Sequence, residues 1–217
     1  MKEKYSILKP CKLLSVSNGL TGKMAGMPAI TSSTLCNEYC AKLRAIPGTV
    51  CEKCYTLKYL QARPSVAQRY RENTELLSGG IIPIHQLPFI NAAMCRLESF
   101  GDITGATHLQ NYINLIKKNS HCMFSLFTKN YTVVFDYFKT HKQPKNLSIV
   151  ISSLMLNTPF AIERCVGLKN LKIFTVYTKK YADKNNVPIN CGKNRCIDCR
   201  RCYTKNKTPV YIAELLK

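Results

Sequence analysis

Short apolar runs alternate with helix-length segments through the middle of the chain. Four runs rich in Val, Ile, Leu and Phe have centres about 25 residues apart, at residues 97–102, 122–128, 147–152 and 172–178. Residues 108–119, 131–140 and 159–165 lie between them. In the first of these segments the apolar positions share one helical face: Leu109, Tyr112, Ile113 and Ile116. The pattern predicts repeated β-α-β units.

Strands joined in this way form a parallel sheet that is buried on both faces. We therefore expect an α/β fold, with the sheet either open and doubly wound or, as we favour, curled into a partial (β/α) barrel. Two further helices are predicted at residues 64–77 and 84–96, and residues 1–35 are rich in turn residues. The chain divides into a loop-rich N-terminal segment (1–60), a β-α core (61–183) and a basic C-terminal segment (184–217), packed as one compact domain.

Polar residues stand at the carboxyl end of each predicted strand, which is the edge where parallel α/β folds bind ligands. Gly101 would let a ligand approach the backbone closely, and the Asp102 carboxylate could accept hydrogen bonds. We predict a cofactor site at this edge, with Asp102 as the preferred contact; its members are Gly101, Asp102, Thr128, Lys129 and Ser152.

Two groups of cysteines flank this core. The first group is Cys36, Cys40, Cys51 and Cys54, and the second is Cys191, Cys196, Cys199 and Cys202. Such spacing is typical of zinc or iron–sulfur sites, so we predict cysteine-rich metal-binding segments at both ends of the chain. A structural zinc knuckle is the alternative for the first group. The other cysteines (Cys11, Cys95, Cys122 and Cys165) and the four histidines are scattered, and we expect them not to be ligands.

Composition sets the class of protein. The 217 residues are 46% hydrophobic, enough for a core, and no apolar run of about 18 residues could span a bilayer. The first residues lack the apolar centre of a secretion signal, so we expect a cytoplasmic protein with reduced thiols and no membrane partner. No phosphate-binding glycine loop and no His-Glu-x-x-His motif occurs.

The charge favours a polyanionic partner. The chain carries 32 Lys and Arg against 12 Asp and Glu, a formal charge of +20. Basic residues crowd the second cysteine group, interleaved with Tyr203 and Tyr211, and cations with exposed tyrosines suit nucleic acid. The predicted nucleic-acid contacts are Lys193, Arg195, Arg200, Arg201, Lys205 and Lys207. A lysine-rich solvated surface, or cations that offset thiolate charge, would explain the same composition.

Several short motifs together resemble a known family. In chain order they are Pro28, Cys36, Cys40, Cys51, Cys54-Tyr55, Phe100-Gly101-Asp102, Phe127-Thr128-Lys129 and the C-terminal Cys-x2-Cys-x2-Cys. This order resembles the phage gene product eighty-eight family over most of residues 25–215. The element Cys40…Cys51-x2-Cys54-Tyr55 also resembles proteins related to radical S-adenosylmethionine enzymes. In those proteins three cysteines hold a [4Fe–4S] cluster on a partial (β/α) barrel.

The resemblance implies an iron–sulfur protein of a phage or mobile element in a bacterial cytoplasm. It implies one or two clusters, S-adenosylmethionine as a cofactor and radical enzyme chemistry, to which the basic charge adds nucleic acid as the expected substrate or partner. This chain departs from the radical-enzyme spacing Cys-x3-Cys-x2-Cys, because the Cys-x2-Cys half comes only at Cys51. A non-catalytic, zinc-stabilised nucleic-acid-binding protein and a metal-stapled protein that targets a host factor remain the alternatives.

Overall fold

The computed structural model describes residues 13–18, 21–161, 163 and 167–216. Within them, six parallel strands form one sheet, in which each strand pairs with the next strand along the chain. The strands are β1 (Ala29–Ile30), β2 (Met94–Leu97), β3 (Met123–Thr128), β4 (Leu147–Ser152), β5 (Leu171–Tyr177) and β6 (Val210–Leu215). The prediction of an α/β fold with a parallel sheet is confirmed.

Helices occupy most of the connections between strands. The described α-helices are α1 (Glu38–Arg44), α2 (Tyr55–Gln61), α3 (Pro64–Gly79), α4 (Ala106–Lys118), α5 (Tyr131–Thr140), α6 (Lys179–Lys184) and α7 (Cys196–Cys199). Short 3-10 helices lie at Gly22–Met24 and Ile84–Gln86. The first three α-helices join β1 to β2, α4 and α5 each form one crossover, and α6 and α7 lie between β5 and β6.

Three of the predicted strands lie close to where the pattern placed them. Strand β4 has the predicted bounds, and β3 and β5 each begin or end within one residue of them. Helix α5 also has the predicted bounds, while α3 extends two residues past its predicted end at residue 77. These elements were predictable because their residues are buried in long apolar runs or recur at helical spacing.

Three predicted elements differ from the structure, wholly or in part. Residues 84–96 do not form a helix: a short 3-10 helix opens the segment, and its last three residues belong to β2, which ends at Leu97. Residues 98–102 do not continue that strand, because Glu98 has a φ of 57° and turns the chain away from it. Residues 159–161 are not helical, and most of the rest of the third predicted helix (159–165) lies outside the described residues.

The two faces of the sheet differ in character. On the face that α3, α4 and α5 cover, which we call the outer face, the strand residues belong to the main core; they include Cys95, Leu97, Phe124, Leu126, Ile149 and Ile173. We call the opposite face the inner face. The alternate positions face the other way, and there Arg96, Ser125 and Ser148 are neighbours across β2, β3 and β4. The inner face is therefore partly polar.

The terminal segments are part of the sheet rather than appendages to it. Strand β1 comes from the predicted N-terminal segment and β6 from the C-terminal one, and β6 pairs with β5 over six residues. Cys95 and Cys122 are buried core residues, as expected, whereas Cys11 and Cys165 lie outside the described residues. None of the described helices has the length and apolar character needed to cross a membrane.

Candidate functional site

The first cysteine segment crosses the carboxyl edge of the sheet. At one end, Asn37 caps α1 through Cys40 N and donates from Nδ2 to Asp102 O (2.6 Å), which fixes it to the loop after β2. At the other end, Val50 N donates to Leu154 O (2.9 Å) in the loop after β4. The segment is therefore a cover fixed to the loops after β2 and β4.

Three of its four thiols are close enough for their charges to interact. Cys51 interacts electrostatically with both Cys40 and Cys54. These three side chains are half-buried, whereas Cys36 is exposed and is not among the groups that act most strongly on Cys40 or Cys51. A hydroxyl also contacts sulfur, since Thr56 Oγ1 lies 3.0 Å from Cys54 Sγ. Cys36 thus differs from the other three cysteines in its exposure.

Burial and charge both act on these thiols. Burial raises the pKa of Cys40 and of Cys51, and the charges of neighbouring thiols and of Asp102 raise both pKa values further. The Lys129 ammonium opposes this effect at both positions. The pKa shifts of Cys40 and Cys51 favour neutral thiols at pH 7 in the absence of a bound cation, whereas Lys129 favours thiolate at both positions and Arg44 does so at Cys51.

Asp102, Thr128 and Lys129 are brought together, as the carboxyl-edge rule predicts. Asp102 is 4% exposed, and its carboxylate accepts hydrogen bonds from Ile103 N (2.8 Å), Thr128 Oγ1 and Lys129 N (2.7 Å). Burial raises its pKa to about 6, against the opposing effects of Lys129 and Thr128. The carboxylate therefore ties the loop after β2 to the end of β3, beneath the cysteine cover.

Gly101 and Ser152 occupy different surroundings. A Cβ atom on Gly101 would lie 2.1 Å from Ser32 Oγ and 2.7 Å from Ser32 O, so the close approach here is made by the chain itself. Ser152 ends β4, is half-buried and pairs in register with Phe174 of β5. Their predicted contact with a cofactor stays a prediction.

A buried carboxylate that the sequence reasoning missed lies directly below this edge. Glu98 is 2% exposed and accepts hydrogen bonds from Tyr112 Oη (2.6 Å), Ser32 N (3.0 Å) and Ser32 Oγ (2.9 Å). His108 Nε2 lies 3.1 Å from Glu98 Oε1, a contact that is an ion pair only when the imidazole is protonated. Burial alone would raise the pKa of Glu98, but His108 and these donors outweigh it and lower the pKa. A Glu followed ten residues later by a His on an amphipathic helix was the available signal.

The second cysteine group lies beside residues of the inner face. Lys23 Nζ is 3.9 Å from Cys191 Sγ and forms an ion pair with Glu214 on β6. The Arg96 guanidinium lies over the Phe127 ring, 3.0 Å from its centroid, and its charge acts on Cys196 and Cys202. Burial raises the pKa of Cys202 to about 12, and the Arg96 charge opposes this rise.

The segment that carries the second group is anchored through a buried lysine. Lys172 Nζ, on the inner face of β5, donates to Thr204 O (2.6 Å) and to Asn206 Oδ1. Burial lowers its pKa to about 8. These contacts fix residues 204–206 against the sheet.

The predicted nucleic-acid contacts share the surface of this segment but differ in availability. Lys193, Arg195, Arg200, Lys205 and Lys207 are exposed, and Arg201 is half-buried. Arg195 is paired with Asp198 (Nε to Oδ2, 2.8 Å). Of the two tyrosines, Tyr211 is 51% exposed, but Tyr203 is 5% exposed and contacts Met27 Sδ through its hydroxyl. The expectation that Tyr203 is an exposed stacking residue was wrong.

Neither cysteine group is arranged as a compact cage for one ion. Among the described residues, no set of three or more His, Cys, Asp or Glu side chains is placed so as to hold a metal ion. All ten described cysteines are free thiols. The donor chemistry of both groups nevertheless suits a soft metal or an iron–sulfur cluster, since both consist of thiols with basic side chains nearby.

Comparison with known proteins identifies a family. No curated protein and no solved structure matches the chain significantly. The family described as Gene product 88 matches residues 9–213, which include both cysteine groups and the carboxyl edge of the sheet. The chain belongs to the Gene product 88 family.

Proposed function

We propose that this chain is an iron–sulfur protein related to radical S-adenosylmethionine enzymes, with a [4Fe–4S] cluster held by Cys40, Cys51 and Cys54. The observation that supports the proposal is that Cys40, Cys51 and Cys54 are half-buried in the cover at the carboxyl edge of the sheet, whereas Cys36 is exposed. Thiolates of one four-iron cluster bind different iron atoms, so they need not form the tight group that a single ion requires.

Three protein ligands leave one iron atom of such a cluster without a protein donor. When bound, the cluster would supply an electron to S-adenosylmethionine, whose amino and carboxylate groups can occupy the open coordination position. The chain's own residues would orient the reactants. Lys129 offers a cation beside Cys40 and Cys51, and Thr56 offers a hydroxyl to Cys54 Sγ.

The strand order supports the same relationship. In an open doubly wound sheet the strand order reverses at a switch point, but here the six strands follow one another without reversal. Because crossovers between parallel strands are nearly always right-handed, an unbroken order puts the connecting helices on one face and curves the sheet around the other. We infer a partial (β/α) barrel whose inner face carries Arg96 and Ser125.

The second cysteine group would hold a second metal centre, either an auxiliary iron–sulfur cluster or zinc. Two cations act on it: Lys23 lies beside Cys191, and the Arg96 charge acts on Cys196 and Cys202. Cations near thiolates offset the negative charge that metal binding leaves on the site. This centre would fix the C-terminal segment to the inner face.

The test is reductive cleavage of S-adenosylmethionine. Anaerobically reconstituted protein with a strong reductant should release 5′-deoxyadenosine, and Cys54→Ser should release none while Cys36→Ser retains the activity. A colourless protein with stoichiometric zinc and no cleavage would contradict the proposal and favour a zinc-stabilised nucleic-acid-binding protein.

A further inference from the structure

An aromatic strip lies on the surface beside the first cysteine group. We define it as Tyr55, Tyr59 and Phe100, with the Arg63 guanidinium placed 4.1 Å over the Tyr59 ring. The centroid of the Phe100 ring lies 6.4 Å from that of Tyr55 and 4.9 Å from that of Tyr59. The buried Tyr70 supports Phe100 from α3, with ring centroids 5.4 Å apart.

Helical spacing explains why these groups form a strip. Tyr55, Tyr59 and Arg63 are four residues apart, so the first two share one face of α2 and Arg63 follows on the same side. Thr56 and Leu60 are the buried positions of the same helix. Tyr55 is 71% exposed, whereas Tyr59 and Phe100 are half-buried. An exposed, supported aromatic edge of this kind is available to a flat ligand.

The stretch that carries α2 and the start of α3 is basic between Glu52 and Glu72. Residues 53–71 contain five basic residues and no Asp or Glu. All five basic side chains are exposed: Lys53, Lys58, Arg63, Arg69 and Arg71. A polyanion with flat, unpaired rings matches both the charge and the aromatic surface.

The aromatic strip lies next to the candidate site. Tyr55 directly follows Cys54, and its hydroxyl donates to Ser99 O (3.4 Å) in the loop after β2. A ligand stacked on Tyr55 would therefore lie beside the carboxyl edge. In the C-terminal segment Tyr203 is buried and Arg195 is paired with Asp198, and Tyr211 is the exposed tyrosine.

We propose that the aromatic strip binds single-stranded nucleic acid, with a base stacked on Tyr55 and phosphates contacted by Lys58 and Arg63. Unpaired bases are required, because a base inside a duplex cannot stack on a protein side chain. The proposal that the bound strand is the substrate of the first cysteine site rests on the proposed function, whereas the binding itself does not.

The test is fluorescence anisotropy with labelled oligothymidylate, oligouridylate and a DNA duplex, on the full chain with and without iron loading. Tyr55→Ala should weaken single-strand binding by about 5- to 150-fold, which corresponds to one lost stacking contact. Tyr55→Phe should bind like the natural protein. The double variant Lys58→Ala, Arg63→Ala should bind with a shallower dependence on salt. The slope of log affinity against log salt concentration should fall in magnitude by about 1.4, or about 0.7 for each phosphate contact.

The matched control is Tyr181→Ala, because Tyr181 is 40% exposed beside Lys179 and Lys180 on α6. This variant should leave the affinity unchanged. Unaltered binding by Tyr55→Ala, preference for duplex, or loss of binding only in Arg200→Ala with Arg201→Ala would overturn the inference. Absence of oligonucleotide binding in an iron-containing protein would overturn this inference and leave the proposed function intact. Oligonucleotide binding by a protein that takes up no iron would overturn the proposed function and leave this inference intact.

Discussion

Gly101 lies where no side chain fits, and the addition of a single methyl group tests this. Its position against Ser32 leaves no space for a Cβ atom, which would lie 2.1 Å from a side-chain atom and 2.7 Å from a backbone oxygen. We expect Gly101→Ala to destabilise the protein by about 1–3 kcal/mol, as overpacking does elsewhere, in urea unfolding. Gly105→Ala is the control, because a Cβ atom there would meet nothing within 4 Å and the φ of 177° is open to any residue. Equal stability of the two variants would contradict this account.

The buried Glu98 makes stability depend on pH in a defined direction. Its folded pKa lies below the ordinary value of 4.5, so its contribution is fully present above pH 4.5 and is lost as the pH falls through the folded pKa. Glu98→Gln should cost about 1–3 kcal/mol at pH 7, because the amide cannot accept every hydrogen bond that the carboxylate accepts from Ser32 and Tyr112. The stability difference from the natural protein should narrow below pH 4.5.

Chemical denaturation at several pH values measures this difference. Glu75→Gln, at an exposed position, is the matched control and should change stability little at any pH. A difference for Glu98→Gln that stays constant down to the lowest pH would show that the carboxylate does not carry the charge proposed for it.

At the scale of elements, a buried lysine is one of the contacts that hold the C-terminal segment to the sheet. Lys172→Met would remove the donor to Thr204 O and Asn206 Oδ1, at a cost of about 1–3 kcal/mol for the unsatisfied acceptors. Amide hydrogen exchange at Tyr203, Thr204 and Asn206 should become faster, while the amides of β3 keep their protection. The exposed Lys169→Met is the control. Unchanged exchange at the three amides would mean that the segment is held by other contacts.

The elements differ in how far the sequence could predict them. Strands β3, β4 and β5 are rich in buried apolar residues, so their pattern was unambiguous. Strand β1 has only two residues, and β6 follows a basic segment. Neither strand shows an apolar pattern long enough to be predicted from the sequence. Residues 84–96 are apolar without a clear period, and β2 is defined by its pairing with β3 rather than by local propensity.

At the scale of the whole molecule, the carboxyl-edge rule predicted which residues come together but not the contacts that each of them makes. It brought Asp102, Thr128 and Lys129 together because parallel strands end at one edge. It could not show that Asp102 would bind the chain's own donors or that Ser32 would fill the space beside Gly101. Those contacts join residues up to 70 positions apart, which local patterns do not encode.

The net charge follows from the sequence, but the places where basic side chains lie beside exposed aromatic rings do not. The basic C-terminal segment is evident in the sequence, yet its Tyr203 is buried by contact with Met27. The aromatic strip combines α2 with Phe100 from the loop after β2, so it exists only in the folded chain. Both cysteine groups gain their cations, Lys129 and Arg96, in the same way.

The most direct test of the central claim is iron and acid-labile sulfide content after anaerobic reconstitution of the cysteine variants. If Cys40, Cys51 and Cys54 hold one cluster, each single Cys→Ser change should lower the iron content by roughly four atoms per chain, while Cys36→Ser should lower it by none. Equal loss of iron in Cys36→Ser would contradict the three-thiol site. Iron-free protein with bound zinc would contradict the cluster itself.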